Sequence, residues 1–184
     1  MRIVPLAALG LIASAVVGTP ATADPAVPVA PAPCAACCPV RGIDDLVRLS
    51  RAELEALYRQ AEMKPIPLGF NRGRAIYNPG SKLTVPASRV TRVLWQGKVL
   101  KDDGTMVNRV FGVRAIHARV FEGESWFDGR PSVIMDYCGM SKLFPNVRDE
   151  VREVCPGVYL GLMYLRKDTG PELTMFFALA APRP

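Results

Sequence analysis

The stretch RDEVREVCPGVYLG, residues 148–161, carries five charged side chains in its first six positions, then a Cys155-Pro156-Gly157 corner and an apolar run. Its reading decides between a charged catalytic or metal-binding cluster and the rim of a sheet. Period-two alternation sends Glu150 and Arg152 to one face and Asp149 and Glu153 to the other, so neither face collects a metal set. Pro156-Gly157 supplies a turn, and VYLGLMYL returns as a largely apolar strand. The stretch therefore reads as a β-hairpin.

Its flanks have the same texture. PSVIMDY precedes it and LTMFFALA follows, the latter joined through RKDTGPE, and both are short β-rich runs bounded by turn residues. Upstream, SRVTRVLWQGKVL reads as a strand with Thr91, Val93, Trp95, Gly97 and Val99 on one face and Arg92, Gln96 and Lys98 opposite. Asp103-Gly104 is a hairpin turn signal. MVNRVFGVRAIHARVF reads as one long strand region bent at Gly112, because a glycine inside a strand commonly marks a bulge. EGES and FDGR are further turn candidates.

One helix is expected, beginning at LSRAELEALYRQAE. Ser50 and Glu53 have capping-box spacing, Leu49 and Leu54 stand at the staple positions, and Leu54, Leu57, Tyr58 and Ala61 form one apolar stripe. Pro65 and Pro67 end it, and the preceding GIDDLVRL adds a short turn capped by Asp44. One N-terminal helix followed by about 7–8 closely spaced strands predicts a mainly β fold, either a strongly curved antiparallel sheet or a small β-barrel. Without crossover helices between the strands, parallel α/β architecture is excluded.

The N-terminus reads as a secretory signal over residues 1–23: Arg2, the apolar run IVPLAALGLIASAVVG, then an Ala21-Thr22-Ala23 cleavage pattern. The run is too short to span a bilayer, and Cys34 follows PAP rather than the lead of a lipid-anchored cysteine. Residues 24–41, rich in Pro and Ala, read as a disordered leader, which leaves residues 42–184 as a single β-rich domain with an N-terminal helix. The expected location is outside the cytoplasm: periplasm, cell envelope or medium. The chain's 23 basic and 17 acidic residues give a formal charge of +6, with the basic residues scattered singly. No recognition-helix or aromatic RNA motif accompanies them, so nucleic acid is not expected as a partner and no stable transmembrane segment is expected after cleavage.

Five cysteines leave at least one unpaired within the chain. Cys34, Cys37 and Cys38 could ligate a soft metal, but no histidine or further Cys motif completes the set, and their C-x-x-C lacks the strand and helix of a redox site. A surface thiol cluster, or a thiol tether to an envelope partner, is the alternative. A hairpin of PSVIMDYC on DEVREVC, with Cys138 near Asp149 and Cys155 near Ser132, puts the two sulfurs about 20 Å apart, too far for a disulfide. The same register brings Arg152 diagonally beside Asp136.

His117 is the lone histidine. It could hold haem or a metal, but no second ligand accompanies it, and a structural or solvated imidazole is the simpler reading. No cofactor is expected. Nucleophile elbows, phosphate loops and H-E-x-x-H motifs are absent, so no familiar catalytic signature is present and the chain reads as non-enzymatic. Asp136 shares a face with Ile134 and needs a partner if buried, for which Arg152 is the candidate. Together with Tyr137 this pair gives an alternative reading as acid-base chemistry on a small substrate. The leading expectation is a small hydrophobic ligand held in a barrel cavity lined by Trp95, Met135, Tyr137, Met163 and Phe177, with Asp136 and Arg152 as polar anchors. These side chains also suit a plain core.

The order of IPLGFNRGRA, LWQGKV, NRVFGVRA, FDGRPSVIMDY and REVCPGVYLGLMY…FFALA resembles a group of uncharacterised exported bacterial proteins. More distantly it resembles GXWXG-type domains, across roughly Ile66 to Ala181. Gly69 and Gly73 match the two glycines of that motif, with Asn71 standing in the tryptophan position. Trp95, Gly97 and Lys98 fit W-x-G-K. Asp128, Pro131 and Asp136 fall on D-x-x-P…D, and Arg152, Val154 and Gly161 fit the segment after it. The resemblance implies a calycin-like β-barrel, a layout that often holds apolar ligands and in one branch haem.

Overall fold

The hairpin at Pro156-Gly157 forms as expected and closes a barrel. The structure, a computed structural model, describes residues 38–181. The expected signal and most of the leader, Cys34 and Cys37 included, lie outside the described residues. Eight antiparallel strands follow one another around the barrel in chain order, and β1 pairs with β8 to complete it. They are β1 (Gly69–Ile76), β2 (Trp95–Leu100), β3 (Thr105–Val110), β4 (Val113–Glu124), β5 (Pro131–Asp136), β6 (Val147–Cys155), β7 (Val158–Lys167) and β8 (Gly170–Ala180). Closure leaves no sheet edge unpaired, which explains why so many short apolar strands can coexist in one chain.

Alternation then divides the apolar residues between two cores. Met106, Ala118, Met135, Val151, Phe177 and Leu179 fill the barrel interior. Leu160, Leu162, Phe176 and Ala178 point outward from β7 and β8 and are covered by the N-terminal helices, α1 (Ile43–Leu46) and α2 (Arg51–Gln60). Ser50 caps α2 with the expected box: its hydroxyl accepts from the Glu53 amide at 3.3 Å, and its own amide donates to Glu53 Oε2 at 2.7 Å. Leu54 and Tyr58 are the side chains α2 buries. Within the 24–41 stretch, Val40 is buried in this outer core with Cys38 packed against it.

Four local readings are corrected. SRVTRVLWQGKVL is not one strand: its first half belongs to α3 (Thr84–Leu94), and only Trp95 onward is β2. The β-branched Thr91 and Val93 suggested a strand, but Thr84, Ser88 and Thr91 recur at helical spacing, and Pro86 sits in the first turn, where proline is tolerated. The face this makes is small and polar, and it packs on β1, where Arg74 Nε donates to Ser88 Oγ at 3.0 Å. Gly112 is a turn rather than a bend: Phe111 (φ 50°) and Gly112 (φ 79°) both take the positive φ of a two-residue hairpin between β3 and β4. Asp44 does not cap α1, whose N-cap is Gly42, and instead pairs with Arg74 at 2.5 Å. Finally, β5 pairs with β6 three residues away from the expected register, with Met135 opposite Asp149 and Val133 opposite Val151. The long β5–β6 connection, Tyr137 to Asn146, absorbs the offset. Cys138 and Cys155 are both free thiols.

Candidate functional site

At one end of the barrel interior the apolar filling gives way to charge. Lys98 reaches the interior because β2 is irregular between Trp95 and Gly97, where Gly97 has φ 140° and a side chain would collide with the Asn71 carbonyl. The bulge turns Trp95 and Lys98, three residues apart, to the same side. Strict alternation had put them on opposite faces. Asp149 faces inward from β6, directly opposite Met135 and Met163. Asn108 lies opposite Lys98 on β3, and Tyr137 hangs from the end of β5.

These four side chains make one network. Lys98 Nζ donates to Asp149 Oδ2 at 2.8 Å, to the Tyr137 hydroxyl at 2.7 Å and to Asn108 Oδ1 at 3.1 Å, which uses all three of its protons. Tyr137 donates to Asp149 Oδ2 at 2.8 Å and accepts from Asn108 Nδ2 at 3.1 Å. Trp95 Nε1 donates to Asn108 Oδ1 at 2.9 Å. The rings of Phe177, Tyr137 and Trp95 surround the ammonium at 5.0, 5.4 and 5.5 Å. Burial holds the Lys98 pKa below its usual 10.5, with Asp149 opposing the shift. Burial, reinforced by the Asp149 charge, lifts the Tyr137 hydroxyl well above 10.

One atom is left over. Asp149 Oδ1 is fully buried and has no hydrogen-bond partner among the described residues. An unmatched buried acceptor costs about 1–3 kcal/mol, and more when charged. Asp149, Lys98, Tyr137 and Asn108 all border a cavity of about 340 Å³ at this end of the barrel. Its walls are apolar: Leu94 from α3, Val110 and Ile116 from β3 and β4, Phe144 from the β5–β6 connection, and Met163, Met175 and Phe177 from β7 and β8. Two glycines make room for the aromatic floor. A Cβ on Gly73 would lie 2.5 Å from the Trp95 ring, and one on Gly161 would strike Phe177. The Trp95 and Phe177 rings meet edge to face at 5.8 Å.

The expected site residues therefore divide. Trp95, Tyr137, Met163 and Phe177 line the cavity. Met135 faces the interior but is fully buried in the packed core and does not border the space. Asp136 and Arg152 are elsewhere, which corrects the expected contact between them. Asp136 points outward and takes Arg166 Nη2 at 2.8 Å, a half-buried pair. Arg152 points outward beneath α2 and chelates Asp128 at 2.6 and 2.7 Å. The register offset is the physical reason, since it moves Arg152 well along β5 from Asp136. Asp136, Tyr137 and Arg152 thus form no common acid-base group. Lys98, Asn108 and Asp149 lie outside the expected set of site residues, although Gly97 inside a strand is a sign of a bulge.

His117 is exposed on the outside of β4 and does not border the cavity. Among the described residues no group of three or more His, Cys, Asp or Glu side chains is placed to hold a metal ion. A larger groove of about 810 Å³ at the opposite end, between Arg41–Ile43 and the β6–β7 corner, has only the exposed Arg41 and Arg72 as charged lining.

No family model matches the chain, and no curated protein matches it. Among solved structures, a crystal structure of a protein from Thermomonospora curvata is similar, with a TM-score of 0.50 and 21% identity. The match covers 74% of this chain and 90% of that one. At that identity the likeness concerns the fold alone.

Proposed function

We propose that this protein, exported through its N-terminal signal, binds a small amphipathic molecule at the open end of its barrel. The apolar body of the ligand lies against Phe144, Met163, Met175 and Phe177, and a hydroxyl or N–H group on it donates to Asp149 Oδ1. The observation that carries this reading is the unmatched, buried oxygen of Asp149, a residue that borders an apolar cavity. Binding sites of this kind are mostly apolar with a few placed polar groups. The cavity is near the lower end of the usual range of about 300–1,000 Å³, which favours a small ligand. Lys98 serves as a fixed counter-charge, and its three aromatic neighbours keep the site dry.

Titration with N-phenyl-1-naphthylamine, an apolar probe with one N–H donor, tests the reading through its emission and through quenching of Trp95. Saturable binding at one site per chain, with a bound small molecule in native mass spectra of gently purified protein, is the expected result. Absence of both would remove the cavity as a binding site.

A further inference from the structure

The mouth of the cavity and the far end of the barrel have different surfaces. Around the mouth, α3 leaves Val90 and Val93 exposed at 67% and 65%, and the β3–β4 turn leaves Phe111 and Val113 at 67% and 64%. The β5–β6 connection presents Leu143 at 77%. Leu94 and Phe144 are also exposed, and both border the cavity, so the apolar rim is continuous with its lining. The rim is built, not frayed: Phe111 N donates to Leu94 O and Gly112 N to Gln96 Oε1, each at 2.9 Å, which ties the hairpin tip to the end of α3. Phe111 occupies a left-handed turn position that aromatic residues rarely adopt, yet its ring stays exposed. Isolated exposed apolar side chains are ordinary, but a contiguous patch of them marks an interaction surface.

Charge separates the two ends in the same way. Residues 77–96, 109–114 and 138–146 contain Lys82, Arg89, Arg92, Arg109, Arg114 and Lys142 and no acidic residue. The opposite end is mixed: its turns and strand ends hold Asp102, Asp103, Glu124 and Asp128 together with Lys101 and Arg130, Asp128 is paired with Arg152, and Arg41 and Arg72 line the groove there. The carboxylates at the mouth are Asp136 at the end of β5, paired with Arg166, and Asp168 and Glu172 in and beside the β7–β8 turn, Glu172 paired with Lys167.

We infer that the mouth end docks on an anionic membrane surface. Apolar tips set among basic side chains match the boundary between acyl chains and negatively charged headgroups. Docked this way, the cavity opens toward the lipid phase. This goes beyond ligand binding in solution, and either can fail without the other.

Co-sedimentation of the full chain with phosphatidylglycerol-containing and pure phosphatidylcholine vesicles, at low and high salt, is the test. Binding to the anionic vesicles that weakens by about tenfold or more on neutral vesicles and again at high salt is expected. The exposed-site variant Phe111→Ser/Leu143→Ser and the charge variant Arg114→Glu/Lys142→Glu should each lose about tenfold. Both should bind N-phenyl-1-naphthylamine in solution like the wild type. Equal partition onto both vesicle types, or none, would overturn the inference. So would a dimer in solution that Phe111→Ser/Leu143→Ser splits, since the rim would then belong to a second copy.

Discussion

Asp149 and Glu150 are adjacent on β6, and they enter two polar clusters of opposite character. Outside the barrel, Glu150 accepts from Ser125 Oγ at 2.5 Å, the Trp126 amide at 2.9 Å and Arg148 Nε at 3.1 Å. Two residues on, Arg152 uses all five of its N–H groups, on Asp128 and on the carbonyls of Tyr58, Arg130 and Pro131. Its guanidinium also stacks on Tyr58, whose hydroxyl meets Ser132 at 2.5 Å. Every group there is matched, so the cluster fastens α2 to the β5–β6 face and has nothing to offer a ligand. Inside the barrel, Asp149 leaves one buried oxygen unmatched, and the residue borders an open volume. A completed network holds the fold together, whereas an incomplete one, kept dry and rigid by its neighbours, is suited to receive a partner.

The largest effect is expected where the outer cluster loses its hub. Arg152→Ala leaves Asp128 and three carbonyls without their donor, and chemical denaturation should show a loss of about 3–5 kcal/mol. The same cluster sets an acid limit. Hydrogen bonding to Arg152 holds the Asp128 carboxyl below its ordinary 3.8. With the folded value depressed, its contribution is complete above pH 3.8 and is lost as pH falls through the lower folded value. Asp128→Asn should flatten that part of a stability-versus-pH curve.

Next comes the aromatic floor. Gly161→Ala places a methyl against the Phe177 ring, and the melting temperature should fall with an overpacking cost of about 1–3 kcal/mol.

The inner pair should behave differently from the outer one. Replacing it with Lys98→Met/Asp149→Leu removes two buried charges together, so stability should stay within about 1 kcal/mol of wild type or exceed it. A loss as large as that of Arg152→Ala would make the inner pair a structural fastener too. The depressed Lys98 pKa also has a sign. Its stabilising contribution is complete above the unfolded lysine value of 10.5 and falls away as pH drops through the folded value. Wild type should therefore gain stability relative to the double variant as pH rises toward 10, the value beyond which unfolded tyrosine ionises and the raised Tyr137 works in the opposite direction.

Asp136→Asn is expected to have the smallest effect, under about 1 kcal/mol, because the pair with Arg166 is partly exposed.

That ranking shows what the residues disclosed and what they hid. Alternation in β6 correctly separated Glu150 and Arg152 from Asp149, and the Pro156-Gly157 turn and the Ser50 cap were plain in local chemistry. Barrel closure accords with the number and spacing of the strands. The candidate site was only half legible. Trp95, Tyr137, Met163 and Phe177 stood out as large apolar groups, but their polar partners depended on two features that strict alternation does not carry. One is the register of β5 on β6, which a ten-residue connection leaves free. The other is the bulge at Gly97, which reverses the side to which Lys98 points. α3 was missed because valines and threonines favour strands, although Thr84, Ser88 and Thr91 recur at helical spacing on the face that packs on β1.

The central claim is that Asp149 Oδ1 receives a donor from a bound ligand. Displacement of N-phenyl-1-naphthylamine by 1-decanol and by its methyl ether isolates that one hydrogen bond, since the two competitors differ chiefly in the hydroxyl proton. Wild type should prefer the alcohol by about tenfold or more, the worth of a hydrogen bond to a buried charged group, and Lys98→Met/Asp149→Leu should not discriminate between them. Equal affinity of the wild type for alcohol and ether, or the same preference in the double variant, would contradict it.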